Sequence, residues 1–89
     1  MIQTQVTIVN KLGLHARAAA KFVSCAAGFA STIQAGKEGS MVDGKSIMAV
    51  MMLAAGKGSV LDLQINGTDE EAALTAIQDL VANRFGEPE

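Results

Sequence analysis

The sequence predicts an α/β two-layer open-faced sandwich: a four-stranded antiparallel sheet covered on one face by three helices, in the order β-α-β-β-α-β-α. Three observations lead there. Some segments alternate apolar and polar residues with a period of two, others carry one apolar stripe at helical spacing, and glycine-containing turns separate them. Strands with one apolar face and helices with one apolar stripe are satisfied together when the helices pack on a single side of the sheet. At 89 residues there is material for one core, so residues 1–89 are expected to form a single domain.

The elements follow in chain order. Ile2, Thr4, Val6 and Ile8 alternate with Gln3, Gln5 and Thr7, the pattern of a half-buried strand. After the Asn10-Lys11-Leu12-Gly13 loop the period changes. Ala19, Phe22, Val23 and Ala26 form one helical stripe, opposed by Arg17, Lys21 and Ser24, and Gly28 is expected to end the helix. Strands around Thr32 to Ala35 and Ser40 to Asp43 flank Gly36-Lys37-Glu38-Gly39, a hairpin-turn sequence. An apolar helix is predicted from Ile47 to Ala55, with Val50 and Leu53 turned inward. After the Gly56-Lys57-Gly58 turn, Leu61, Leu63 and Ile65 alternate with Asp62 and Gln64 in a fourth strand. Thr68-Asp69-Glu70-Glu71 reads as a capping box, so the last helix should start near Asp69. Its stripe is Ala73, Leu74, Ile77, Leu80 and Val81, and Gly86 and Pro88 should stop it.

Composition excludes several functions. The chain has 49% hydrophobic and 18% charged residues, so a packed core can offset the chain entropy lost on folding. Three Phe, with no Trp or Tyr, provide few stacking platforms, and a net charge of -2 gives no general attraction to phosphate backbones, so nucleic acid is not an expected partner. The single Cys25 cannot close an intramolecular disulfide, which favours a reducing, cytoplasmic compartment. The start "MIQTQVTIV" lacks a basic segment followed by a continuous apolar one, and the run from Ile47 to Ala55 is too short to cross a bilayer, so no membrane association is expected.

The only histidine, His15, lies in "NKLGLHARAAAKFV". A lone imidazole usually carries no chemistry, but the position of this one argues otherwise. Gly13 supplies a turn, Leu14 can anchor inward, and His15 falls at the N-cap, where Ser, Thr, Asp or Asn would stabilise the helix better. Beyond it, the amides of Ala16, Arg17 and Ala18 begin a helix and lack backbone acceptors, a donor set suited to an anion. A phosphoryl group carried on the ring would sit there. The small side chains of Ala16, Ala18, Ala19 and Ala20 are expected to leave the approach open, and Arg17 can offer a planar fork of donors to phosphate oxygens. Imidazoles titrate near neutrality, so a neutral ring can attack phosphorus without a separate base.

Other chemistries fail on count. His15 with a lone Cys25 cannot furnish a zinc site, and no metal is expected. Nor can these two groups, ten positions apart on one helix, touch as a Cys-His hydrolase requires. No Walker or dinucleotide glycine pattern occurs, and no cofactor is expected.

"GLHARAAAKFV" together with "GKSIMAVMML" resembles HPr, the histidine-containing phosphocarrier family of the bacterial phosphoenolpyruvate-dependent sugar phosphotransferase system. The resemblance spans the whole chain, and the family's open-faced sandwich has the same element order. It implies that His15 accepts a phosphoryl group from phospho-Enzyme I on Nδ1 and passes it to Enzyme IIA domains, with Arg17 steadying the group. Such a carrier is a substrate of enzymes rather than an independent one. Two positions depart from the family. Ala18 stands where proline is usual, which should loosen the helix start slightly and add one possible donor to the phosphate. Ala49 replaces a frequent glycine and should favour helix.

Ser46, after Gly44-Lys45, stands where an N-cap belongs. The resemblance adds regulation, because in many HPr proteins this serine is phosphorylated by HPr kinase/phosphorylase, and "GKSIM" resembles those members. Phosphate there is locally favoured at a helix start, while its charge of about -2 would repel an acidic partner. The helix from Ile47 is apolar all round and cannot bury every face, so Ile47, Met48, Met51 and Met52 are expected outside. Flexible thioethers suit a carrier that docks on several proteins. The resemblance puts this patch beside His15, with Ala20, Arg17, Lys21 and Lys45 contributing to the docking face.

The reading is a cytoplasmic, monomeric phosphocarrier. The competing reading is a regulatory binding module in which Ser46 and the Ile47-Met48-Met51 patch control a transcriptional regulator or an enzyme and His15 is idle. The presence of both His15 and Arg17 speaks against that as the sole role.

Overall fold

Alternation along the chain becomes a sheet whose two faces differ in polarity. The computed structural model describes residues 1–89. Its strands are β1 (Ile2–Thr7), β2 (Thr32–Lys37), β3 (Ser40–Asp43) and β4 (Val60–Asn66); its helices are α1 (Ala16–Ala27), α2 (Ile47–Met52) and α3 (Glu70–Ala82), followed by a short 3-10 turn, Arg84–Gly86. The strands lie in the order β1-β4-β2-β3, and every neighbouring pair is antiparallel. The predicted architecture and element order are present.

Register sorts the residues. Ile2, Thr4 and Val6 face Ile65, Leu63 and Leu61 across β1 and β4, while Ile33 and Ala35 face Ile65 and Leu63 across β2 and β4. This apolar face meets Ala18, Ala19, Phe22 and Ala26 of α1, Val50 of α2, and Ala73, Ile77 and Val81 of α3 in one core. Each fully buried Leu, Ile or Phe side chain contributes roughly 1.5–3 kcal/mol by leaving water. The opposite face is polar: Gln3 pairs with Gln64, and the Gln5 amide donates to Asp62 Oδ1 at 2.8 Å.

Three local expectations change. β2 runs on to Lys37, so the hairpin closes through Glu38 and Gly39 alone, with φ of 55° and 84°. Such two-residue turns match the twist of the flanking strands. The predicted helix from Ile47 to Ala55 stops at Met52. Leu53 and Ala54 donate to Val50 O and Met51 O, three residues back, and Ala54 turns left-handed at φ 52°. That kink frees the Ala55 carbonyl to accept from Leu14 N at 2.8 Å. An apolar run carries no stop signal for a tertiary hydrogen bond of this kind.

The capping box does not form either. Asp69, not Thr68, precedes α3, and its carboxylate turns away from the helix to accept from Ala30 N (2.8 Å), Ser31 N (2.9 Å) and the Ser31 hydroxyl. The Ser31 hydroxyl, and then the Ala30 amide, hold the Asp69 carboxyl below the usual carboxylate range. The carboxylate ties the start of α3 to the loop after α1 instead of closing its own helix.

Candidate functional site

The turn before α1 is fixed by a close approach. Gly13 has φ 66°, and a Cβ there would lie 2.4 Å from Ala55 O and 2.7 Å from Gly56 Cα. Only glycine fits. Leu14 is buried beneath it, and its amide is the donor to Ala55 O, so the turn is clamped to the segment that follows α2.

His15 follows as the N-cap, extended at φ -71° and ψ 177°, and its side chain makes no bond to the helix. The first helical donor to find a carbonyl is Ala19 N, on His15 O at 2.8 Å, so the amides of Ala16, Arg17 and Ala18 have no backbone partner. The imidazole is 28% exposed. It lines an open cleft of about 770 Å³ with Lys11, Leu12, Ala16, Arg17, Glu87, Pro88 and Glu89. His15, Ala16 and Arg17 therefore line one opening.

The alanines divide. Ala16 is exposed and Ala20 half-buried, but Ala18 and Ala19 are fully buried against the core, so the open approach owes nothing to their side chains. A helix stripe this close to the start of α1 points inward because Phe22, one turn on, must reach the sheet. Ala18 itself does not line the cleft.

The chain's far end closes one side of the ring. His15 Nε2 meets Glu87 Oε2, and Glu87 Oε1 accepts from Asn10 Nδ2 at 2.9 Å. Asn10 is fully buried and also donates to Gly13 O at 2.8 Å. The Asn10 amide, then the His15 ring and the charge of Lys21, hold the Glu87 carboxyl below the usual carboxylate range. Neither residue was expected from the sequence. They lie 72 and 77 positions from their partners, and the only sign was a pair of glutamates in "GEPE" beyond the last helix.

The other predicted residues lie as follows. Ser46 is the N-cap of α2, its hydroxyl accepting from Ala49 N at 3.3 Å. Ile47, Met48, Met51 and Met52 are exposed, Met48 and Met52 most of all at 71% and 80%, while Val50 and Leu53 face inward. The two lysines are engaged: Lys21 Nζ donates to Phe85 O at 2.6 Å and Lys45 Nζ to Phe29 O at 2.8 Å. Cys25 is half-buried and its thiol is pushed up by that burial, which suits packing rather than reactivity. No three His, Cys, Asp or Glu side chains gather as a metal site, and no helix is long and apolar enough to cross a membrane.

Comparison with known proteins gives a consistent result. A family described as "PTS HPr component phosphorylation site" matches residues 2–83. The phosphocarrier protein HPr of Cupriavidus necator is 54% identical over 89 residues, covering all of both chains. A crystal structure of an HPr from Thermoanaerobacter tengcongensis superposes with a TM-score of 0.95 at 44% identity, again over all of both chains. A second structure from that organism, described as an HPr dimer, has a TM-score of 0.78 at 45% identity and covers 98% of this chain and 100% of that one.

Proposed function

The chain belongs to the HPr family, the phosphocarriers of the phosphotransferase system, and from that membership we propose how its own residues carry the phosphoryl group. Nδ1 of His15 attacks the phosphorus of phospho-Enzyme I. The Nδ1–P bond forms as the bond to the donor breaks, and that electron pair leaves with the donor. The reverse exchange delivers the group to an Enzyme IIA domain. The amides of Ala16, Arg17 and Ala18 and the Arg17 guanidinium receive the phosphoryl oxygens, as helix starts and planar forks do for other anions.

The observation that carries this reading is the N-cap position of His15: a side chain unspent on its own helix, open to a cleft, in front of three amides without carbonyl partners. A residue chosen for stability would cap the helix instead. Docking is assigned to the exposed Ile47, Met48 and Met51 with Ala20, Lys21 and Lys45 at its margin, and regulation to Ser46 through an HPr kinase/phosphorylase and a transcriptional regulator. The protein works in the cytoplasm as a monomer of one domain, residues 1–89; sizing by light scattering distinguishes this from a dimer.

The test is direct. Phosphoenolpyruvate and Enzyme I should add one acid-labile phosphoryl group by mass spectrometry, absent in His15→Ala and retained in Ser46→Ala. No modification of the unaltered protein would favour the regulatory-module reading, and modification retained in His15→Ala would move the acceptor elsewhere.

A further inference from the structure

The C-terminal strap, residues 84–89, lies beyond the part of the chain that the family description matches, yet it reaches the ring. It is held at several points. Phe85 is fully buried, its carbonyl accepts from Lys21 Nζ, Lys11 N donates to Glu89 O at 3.0 Å, and Lys11 Nζ pairs with the Glu89 carboxylate at 3.4 Å. Within the strap, Glu87 is only 13% exposed and both of its oxygens are engaged, one by Asn10 and one by His15. Asn10 donates from one nitrogen to two acceptors, Gly13 O and Glu87 Oε1, so its amide has a single workable orientation. The carboxylate is aimed rather than loosely attracted.

An ionised carboxylate only accepts hydrogen bonds, so the nitrogen facing it must carry the hydrogen. We infer that Glu87 is a positioning residue for phosphoryl transfer: it keeps the hydrogen on Nε2 of His15, leaves the lone pair on Nδ1, and keeps Nε2 protonated while Nδ1 carries the phosphoryl group. This rests on the phosphocarrier reading above. The balance is simple. A neutral ring with Nε2–H attacks through Nδ1 and becomes a phosphorylated imidazolium whose positive charge faces Glu87. When the group moves on, the P–N electrons return to Nδ1, and Nε2 keeps its proton throughout. A protonated ring is the better leaving group, so the carboxylate holds the carried group ready for transfer. The other charges around the ring are Arg17 and Lys21 on α1, Lys11 on the preceding loop and Glu89 on the strap, together with the amides at the start of α1. Glu87 is the hydrogen-bond partner of Nε2.

Ring nitrogens can be read by 15N NMR on the unphosphorylated protein, and His15 can be phosphorylated chemically with phosphoramidate, so neither measurement needs Enzyme I. Once the ring has lost its second hydrogen, the unaltered protein should keep the remaining one on Nε2, with slowed exchange of that hydrogen, and Glu87→Ala should lose the slowed exchange. In phosphorylated Glu87→Gln, the pH at which P–N hydrolysis becomes slow should move towards acid by about one unit, so hydrolysis near neutrality falls about tenfold. A ring that carries its single hydrogen on Nδ1 in the unaltered protein overturns the inference without any variant. A Gln profile superimposed on the original, with an unchanged amide spectrum, overturns it too. Failure of Enzyme I to phosphorylate the protein would instead count against the carrier reading and leave both measurements standing.

Discussion

The starts of α1 and α2 meet the same difficulty, a first turn of amides without carbonyls, and meet it in opposite ways. At α2 the Ser46 hydroxyl accepts from Ala49 N and the helix is capped by its own sequence neighbour. At α1 the N-cap side chain gives nothing to the helix, the amides of Ala16, Arg17 and Ala18 have no carbonyl partner, and Ala16 and Arg17 line the cleft. One start is built for stability and the other forgoes it. The start of α3 is a third arrangement, since Asp69 spends its carboxylate on Ala30 and Ser31.

The sharpest way to break this contrast is to make the first start resemble the second. His15→Ser in a Glu87→Ala background, where the contact between the two side chains is already gone, should abolish phosphoryl transfer while raising stability by up to about 1 kcal/mol over Glu87→Ala alone, the usual gain from an N-cap; urea melts alongside a transfer assay check both. A variant that was inactive and less stable would show that the imidazole also supports the helix. Next in size, Met48→Glu should slow transfer from Enzyme I about tenfold, equivalent to roughly 1.4 kcal/mol, with an unchanged circular dichroism spectrum. Met48 is 71% exposed, so an unfolded variant would contradict its placement outside the core.

Ser46→Ala should cost about 0.5–1 kcal/mol, towards the lower end because the hydroxyl lies 3.3 Å from Ala49 N, and should leave His15 phosphorylation intact. The smallest effect near neutral pH concerns Asp69. Its folded pKa lies below the unfolded value, so its contribution is complete above the unfolded value and disappears as pH falls through the folded one. Asp69→Asn should therefore flatten that part of the acid limb in melts taken across pH 2 to 5. A limb of unchanged slope would assign the acid sensitivity to other carboxylates, Glu87 first among them.

What could be read from the sequence was whatever depends on near neighbours. Alternation placed β1 and β4, the Ala19–Phe22–Ala26 stripe placed α1, and the poor capper at position 15 pointed to the candidate site. Two of the failures share one cause, which is that a distant partner decided the local structure. Ala54 leaves the helix so that Ala55 can bind Leu14, and Asp69 takes the N-cap position from Thr68 while its carboxylate binds Ser31. Glu87 is the extreme case. Periodicity has no means of joining residues 72 positions apart.

That separation bears on when the protein becomes competent. The imidazole is synthesised 72 residues before the carboxylate that faces it, so during synthesis His15 exists for a time without its counterpart. Long-range closure of this kind comes late in folding because it waits on the loops between. A partly made or partly folded chain thus displays the imidazole without the contact between His15 and Glu87.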